Sequence, residues 1–280
     1  MSHPSQLPST GSFARIPLSG DDSLSCLQLG QGERLCILIH GSLCDGRYWW
    51  PQFDDLSAGR RLCSPSLRHY FPAAPDPTVR LDWRRDVSDL LALIERLSPD
   101  APVDLIGHSR GGAIAYQLAR QRPDRVRRLV LAEPGGATQA GTPADPVLMQ
   151  EWKAALSAKL ARREYESAVG QFIDGVSRAG SWLHSPRDFK RMALDNAHTL
   201  VSQMDDPLPA YAEADVAQLA LPVLLVKGQR SRERFVVTVD TLARWLPDAR
   251  VVEIAGASHG MNLAHPRAFN AAVLDFLDAA

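Results

Sequence analysis

The segment that most restricts this chain is Val103-Asp104-Leu105-Ile106-Gly107-His108-Ser109-Arg110-Gly111-Gly112. Its apolar lead-in predicts a buried strand over Val103–Ile106, and the residues after Ser109 predict a helix over Gly111–Arg122, closed by Pro123. A serine between strand and helix in the pattern Gly-x-Ser-x-Gly must sit on a very tight turn. That turn strains the backbone and pushes the hydroxyl clear of the sheet. Gly107 and Gly111 remove the Cβ atoms that would collide there. The helix that follows aims its positive end at the hydroxyl, which favours negative charge developing beside it. Ser109 is therefore the candidate nucleophile.

The rest of the chain repeats short apolar runs between amphipathic ones. Phe13–Leu18 and Ser23–Leu29 read as two edge strands joined by a Gly20-Asp21-Asp22 turn. Arg34–Ile39, Leu62–Leu67, Arg128–Ala132, Pro222–Lys227 and Arg250–Ile254 read as buried strands. Asp86–Leu97, about 233–246 and Pro266–Leu277 carry helical spacing. This alternation predicts an α/β chain with a mostly parallel sheet covered by helices on both faces. From about 135 to 215 the rhythm fails. Helical patterns such as Glu151–Tyr165 and Phe189–Ser202 appear there without a convincing strand, which predicts an all-helical insertion between two strands. The expected organisation is a flexible leader over 1–12, a core made of 13–134 and 216–280, and a helical cap insertion over 135–215.

Composition narrows the function. Lys and Arg total 31 and Asp and Glu 32, a formal net charge of −1. That balance gives no electrostatic reason to expect nucleic acid or an anionic membrane as a partner. The opening residues Met1–Ser12 are polar, contain two prolines and lack the apolar centre of a signal peptide. No apolar run reaches the ~18 residues needed to span a bilayer. The four cysteines, Cys26, Cys36, Cys44 and Cys63, form no CxxC pair, so metal-ligand spacing is absent and reduced thiols are expected. A cytoplasmic enzyme acting on a small molecule, with no metal or other cofactor and with a homodimer allowed, is the expectation.

Near the C-terminus, Ile254-Ala255-Gly256-Ala257-Ser258-His259-Gly260-Met261 places a histidine between the end of a strand and the last helix. An imidazole with an ordinary pKa of ~6.5 suits a general base near neutral pH. The segments His40-Gly41, Gly107 to Gly112 and Ser258-His259-Gly260 together resemble the α/β-hydrolase superfamily, over nearly the whole chain outside the leader. The resemblance implies a core sheet with a helical cap, the chain order nucleophile, acid, histidine, and hydrolysis of an ester, thioester, lactone, amide or C–C bond. It makes His259 the base. It also assigns the oxyanion donors to the amides of Ser42, in the loop after an early strand, and Arg110, with Leu43 the weaker alternative in that loop.

The acid departs from the family pattern. The usual Asp stands about three residues after the glycine that ends the late strand. Here that stretch reads Leu224-Leu225-Val226-Lys227-Gly228-Gln229-Arg230-Ser231-Arg232, without a carboxylate. Some members, a branch of the haloalkane dehalogenases among them, carry the acid at the end of the strand after the nucleophile helix. Glu133, at the tip of Arg128–Ala132, occupies that position here. Pro134 is expected to hold Glu133 extended so that its carboxylate reaches inward. Glu233, an acid from the cap, or no acid at all are the alternatives. Dehalogenases and epoxide hydrolases of this fold use Asp where this chain has Ser109, so serine points to acyl transfer.

Trp49, Arg68, His108, Trp152, Trp182 and Met261, with Leu43, are candidate substrate-contacting residues, the aromatic ones lining an apolar pocket and Arg68 meeting a substrate carboxylate. The primary functional expectation is an esterase, lactonase or thioesterase working through an acyl-enzyme. A C–C hydrolase of a diketone-type substrate, an acyltransferase or cyclase, and a low-turnover ligand receptor are the alternatives.

Overall fold

The computed structural model describes residues 12–20, 22–76, 78–139 and 146–279. The expected leader lies outside these residues except for Ser12, and Asp21 of the first turn lies outside them too. Eight strands, β1 (Ala14–Pro17), β2 (Ser23–Leu29), β3 (Leu35–Ile39), β4 (Arg61–Ser66), β5 (Val103–His108), β6 (Val126–Ala132), β7 (Val223–Gly228) and β8 (Ala249–Ile254), form one sheet. Their order is β1-β2-β4-β3-β5-β6-β7-β8. The β1–β2 and β2–β4 pairs are antiparallel and all others parallel. The chain is thus an α/β fold with a mostly parallel sheet, as its alternation predicts.

The helices are α1 (Phe53–Ser57), α2 (Trp83–Leu97), α3 (Arg110–Gln121), α4 (Pro146–Ala161), α5 (Tyr165–Val176), α6 (Ser181–His184), α7 (Arg187–Asp195), α8 (Leu200–Met204), α9 (Glu213–Val216), α10 (Glu233–Trp245), α11 (Met261–Ala264) and α12 (Pro266–Asp278). The period-two alternation of the central strands sends Ile37, Ile39, Leu105 and Leu129 to one face, where α2, α3 and α10 cover them with Leu90, Leu93, Ile114 and Val239. Cys36, Leu38, Ile106 and Val130 point to the other face, against Leu56 of α1 and Phe269 and Val273 of α12. Both faces are buried, so the central strands read as continuous apolar runs. None of the described helices is long and apolar enough to cross a membrane. The four cysteines are buried free thiols.

Between β6 and β7 lie α4 to α9, with no strand of the sheet among the described residues. Two helix boundaries there differ from the periodicity. The expected helix over Glu151–Tyr165 begins earlier, at Pro146, and ends at Ala161, because Arg163 adopts a left-handed φ of 60° and a new helix starts at Tyr165. The expected helix over Phe189–Ser202 breaks at Asn196. That side chain bonds Asp45 and the Phe71 amide as well as the Met192 carbonyl, so tertiary hydrogen bonds outweigh the helical pattern. Apolar residues of the stretch, including Leu156, Phe172, Met192 and Leu200, join the second-face core.

Two contacts set the spacing of β3, β5 and α3. A Cβ on Gly111 would overlap the carbonyl oxygens of Ile39 and His40, so only glycine lets α3 start this close to β3. Beside it, the buried His40 ring accepts the Leu67 N–H at Nε2 (3.0 Å), which leaves Nδ1–H to donate to Gly41 O (2.9 Å). Burial lowers its pKa from 6.5 to about 4.

Gly111→Ala is expected to cost at least ~2 kcal/mol in urea unfolding, since backbone must move to admit the methyl group. Stability that does not change would refute this account. His40 carries a pH signature. Its folded pKa lies below its unfolded one, so stability present above pH ~6.5 is lost as pH falls toward 4, by up to about 3 kcal/mol. Buried Asp86, raised to about 7, acts in the opposite sense over much of that window. The informative quantity is therefore wild type against His40→Gln: the variant should lose less stability between pH ~6.5 and 4. Parallel pH profiles would rule the His40 linkage out.

Candidate active site

Ser109 stands between β5 and α3 with φ 52° and ψ −123°, a conformation that non-glycine residues rarely adopt. Hydrogen bonds hold it there. Its N–H donates to Ala132 O (3.0 Å), and its carbonyl accepts from Gly112 N (2.9 Å) and Gly135 N (2.7 Å). The turn is thereby locked to the end of β6.

Glu133 is fully buried at that end. Its Oε2 accepts from His259 Nδ1 at 2.7 Å, and its Oε1 accepts from the Gly228 N–H at 2.7 Å. The backbone is not extended as Pro134 suggests. Glu133 takes φ 41°, while its N–H donates to Val226 O at 3.0 Å. The left-handed residue turns the chain off the sheet while the carboxylate stays pinned between β7 and the loop after β8. At Gly228 a Cβ would lie 2.7 Å from Ala257 O, so glycine is what brings this amide to Glu133. Ser231, three residues on, fills the place of the family's usual acid. Its hydroxyl is buried without a hydrogen-bond partner.

A carboxylate only accepts, so His259 Nδ1 carries the proton and Nε2 keeps its lone pair. The ring is held from both sides, by Phe235 stacked at 3.9 Å and 14° and by His108 at 4.6 Å. His108 Nε2 lies 2.8 Å from the His259 carbonyl oxygen and must be the donor. Burial, and then the nearby His259, keep the His108 pKa well below 6.5, so it is neutral at physiological pH. Tyr48 and Gln52 brace α11, which follows that loop, through Asn262.

Ser109, His108 and His259 line one cavity of ≈ 310 Å³, within the usual range for a small-molecule site. Cys44, Phe172, Ile173, Val176, Phe189 and Leu263 give it an apolar wall, and Ser42, Ser177, Ser181, Ser185 and Ser258 bring hydroxyls to the rest. Among the described residues, the titratable side chains that line it besides Cys44 and Tyr48 are three histidines, His108, His184 and His259. Among the described residues no group of three His, Cys, Asp or Glu could hold a metal ion. A hydroxyl, a carboxylate-oriented imidazole and a largely apolar cavity can together attack a carbonyl and shuttle the proton involved.

The structure disperses several other candidates. Arg68 lies off the cavity, chelated by Asp89 and Asp22 (2.9 Å to each). Leu43, Trp49 and Met261 are buried in the core beneath the site, Trp49 against Phe269. Trp152 backs Phe172 at 5.7 Å, and Trp182 packs on Gly170, so both support the wall from behind. The Arg110 side chain turns away into a buried pair with Asp206 while its backbone opens α3. Glu233, at the start of α10, has no part in the His259 contact. Phe235 is the neighbour that sequence reasoning missed. Nothing in its local pattern separates it from any other apolar residue of α10.

Residues 36–272 match the alpha/beta hydrolase family. The chain is 30% identical over 253 residues to a pimeloyl-[acyl-carrier protein] methyl ester esterase of Aromatoleum aromaticum, covering 82% of this chain and 92% of that one. It is 27% identical to a polyketide synthase of Burkholderia thailandensis across 94% of its own length, but spans only 12% of that protein. An esterase structure from Exiguobacterium antarcticum superposes with a TM-score of 0.80 at 17% identity, covering 95% of this chain and 99% of that one, a likeness of fold. With the family matched over most of its length and the sheet and serine turn in place, the chain belongs to the α/β-hydrolase family.

Proposed function

We propose that this protein is a serine hydrolase that cleaves carboxylic esters or thioesters through an acyl-enzyme. In this reading Ser109 is the nucleophile, His259 the general base and Glu133 the acid that orients it. The amides of Ser42 and Arg110 form the oxyanion hole, and the helices between β6 and β7 cap the site. The 2.7 Å contact between Glu133 Oε2 and His259 Nδ1, on the cavity that Ser109 lines, carries the proposal. Two relatives lend support. One is named for hydrolysis of a methyl ester on an acyl carrier, and the other is named as a polyketide synthase, of which this chain spans 12%.

The residues divide the work as follows. His259 Nε2 takes the Ser109 proton as Oγ attacks the carbonyl carbon. The positive end of α3 and the two amides hold the oxyanion. The proton then passes from His259 to the leaving group, the C–O or C–S bond breaks, and water activated by the same nitrogen frees the acid. Glu133 stabilises the imidazolium without taking its proton. The cavity walls accommodate an uncharged, mainly apolar acyl group, because no Arg, Lys, Asp or Glu among the described residues lines them.

With p-nitrophenyl butyrate, Ser109→Ala should lower kcat by about 10⁴-fold or more. Equal turnover by wild type and variant would sink the assignment. Glu133→Gln retains an acceptor for Gly228 N–H but no longer stabilises the imidazolium, and it should lose on the order of 10³–10⁴-fold in kcat with KM nearly unchanged. A loss under threefold would shift the acid's role elsewhere. His108 acts through the His259 carbonyl as a positioning residue. His108→Ala should slow kcat by roughly ten- to a hundredfold, and His108→Gln, which keeps a donor, should recover most of that. A His108→Gln variant as slow as His108→Ala would argue against positioning through this hydrogen bond.

A further inference from the structure

The cavity meets solvent where its exposed lining residues lie, at His184, Pro186 and Ala264. Around this mouth the charge is lopsided. Arg178 follows Ser177 and Arg187 follows Pro186, both lining residues. Arg232 reaches back across the gap, with Nε to Ser177 O at 2.6 Å and Nη2 to Asp174 O at 2.7 Å. Arg234 bonds Gly175 O at 3.2 Å. Lys190 bonds Leu183 O at 2.9 Å, beside His184. The backbone N–H of Arg230 donates to Ala257 O at 2.7 Å, one residue before the lining residue Ser258.

Among the described residues, none of these six cations has a carboxylate oxygen within 4.0 Å. Three carboxylates occur in the same stretches, so six cations there face three anions, an excess of three positive charges. Asp174 spends its oxygens on the amides of Gly180 and Trp182, while Asp188 and Glu233 form no ion pair. Several arginines elsewhere are ion-paired, Arg47 with Asp45 and Asp195, Arg68 with Asp22 and Asp89, and Arg127 with Asp104, whereas others, such as Arg61 and Arg244, bond carbonyl or hydroxyl oxygens as the rim arginines do. Arg232 and Arg234 also cap the carbonyl end of α5, which accounts for their placement but offsets only about half a charge. Crowding of like charge is evident, since burial and then Arg232 lower the Arg234 pKa. In a chain of net charge −1, this local excess of positive charge around one opening attracts an anionic ligand.

We propose that the rim binds the phosphates of an acyl thioester of the coenzyme A class, whose uncharged acyl group enters the cavity. This rests on the hydrolase reading above and adds the identity of the leaving group. The division fits the two surfaces: among the described residues no Arg or Lys lines the cavity to pair with a charged acyl end, and the rim has several to pair with phosphate, the group for which arginine's fork is suited. In the reaction Ser109 Oγ bonds to the thioester carbon, the C–S bond breaks, and the sulfur leaves with the proton held by His259. Water then releases the carboxylic acid and restores the Ser109 hydroxyl. The phosphates take no part in bond-making and act by raising affinity.

The test pairs butyryl-coenzyme A with the butyryl thioester of N-acetylcysteamine, which has the same acyl group and no phosphate. The coenzyme A thioester should show a kcat/KM at least about tenfold higher at low salt, and the advantage should collapse near 0.5 M salt. The double variant Arg178→Glu/Arg187→Glu lies on exposed positions and should raise KM for butyryl-coenzyme A about tenfold, leaving the short thioester and p-nitrophenyl butyrate unaffected. Equal, salt-insensitive kcat/KM for the two thioesters would overturn the proposal while leaving the hydrolase reading intact. If no ester or thioester is turned over, the hydrolase reading falls. Calorimetric titration with coenzyme A itself then decides the rim: salt-sensitive binding that weakens in the double variant supports it, and no binding overturns it.

Discussion

The buried Glu133 carboxylate ties the molecule's late strands to its serine turn. A charge with no solvent contact persists only where donors replace water, and losing one partner of such a group costs roughly 3–5 kcal/mol. Glu133 has two donors, the Gly228 amide and His259 Nδ1–H. One comes from the end of β7 and the other from the loop after β8, so satisfying the carboxylate fixes both relative to β6. The next residues, Pro134 and Gly135, return to Ser109 through the bond from Gly135 N to the Ser109 carbonyl. The strained φ of Ser109 and the left-handed φ of Glu133 are thus held by the same short segment. Neither would survive in an isolated peptide, where such strain costs about 1–3 kcal/mol per residue.

Where local chemistry alone decides, the sequence is transparent. The strand, serine turn and helix at 103–121 follow from an apolar run, glycines on either side of one serine, and a proline stop. The same holds for the sheet, because a strand buried on both faces must be apolar at every position. Legibility fails where a tertiary partner overrules a local pattern. Asn196 interrupts a helical repeat because Asp45 and Phe71 lie across from it, and those residues are about 125–150 positions away. Pro134 biases its neighbour toward an extended backbone, yet the Val226 carbonyl and the Ser109 turn impose φ 41° on Glu133. In the candidate site, Ser109 and Glu133 stand out because each directly follows a strand, and His259 because it stands in the loop between β8 and the last helices. The pocket wall does not stand out, because aromatic residues in the pocket and behind it obey the same helical spacing. Trp152 and Trp182 prop the wall that Phe172 and Ile173 present.

The carboxylate's position also explains the empty chemistry at the end of β7. Gly228 offers its amide to Glu133 and can carry no side chain, with Ala257 and Ser258 carbonyls within 2.8 Å of where one would begin. Ser231 sits behind it with an unpartnered buried hydroxyl. A carboxylate at 231 would bring a second negative charge to the same pocket, and two carboxylates that close cannot both stay ionised. The strand tips of β6 and β7 are therefore exclusive alternatives: an acid on one favours a small, neutral residue on the other. By this argument the serine at 231 is what the presence of Glu133 requires, and the two positions should change together. Ser231→Asp alone should lower activity by protonating one of the pair, whereas Ser231→Asp in a Glu133→Gln background removes the repulsion and should regain part of the lost kcat. Steady-state hydrolysis of p-nitrophenyl butyrate by the single and double variants reads the coupling directly. Strictly additive losses would mean that the two strand tips do not serve the same imidazole.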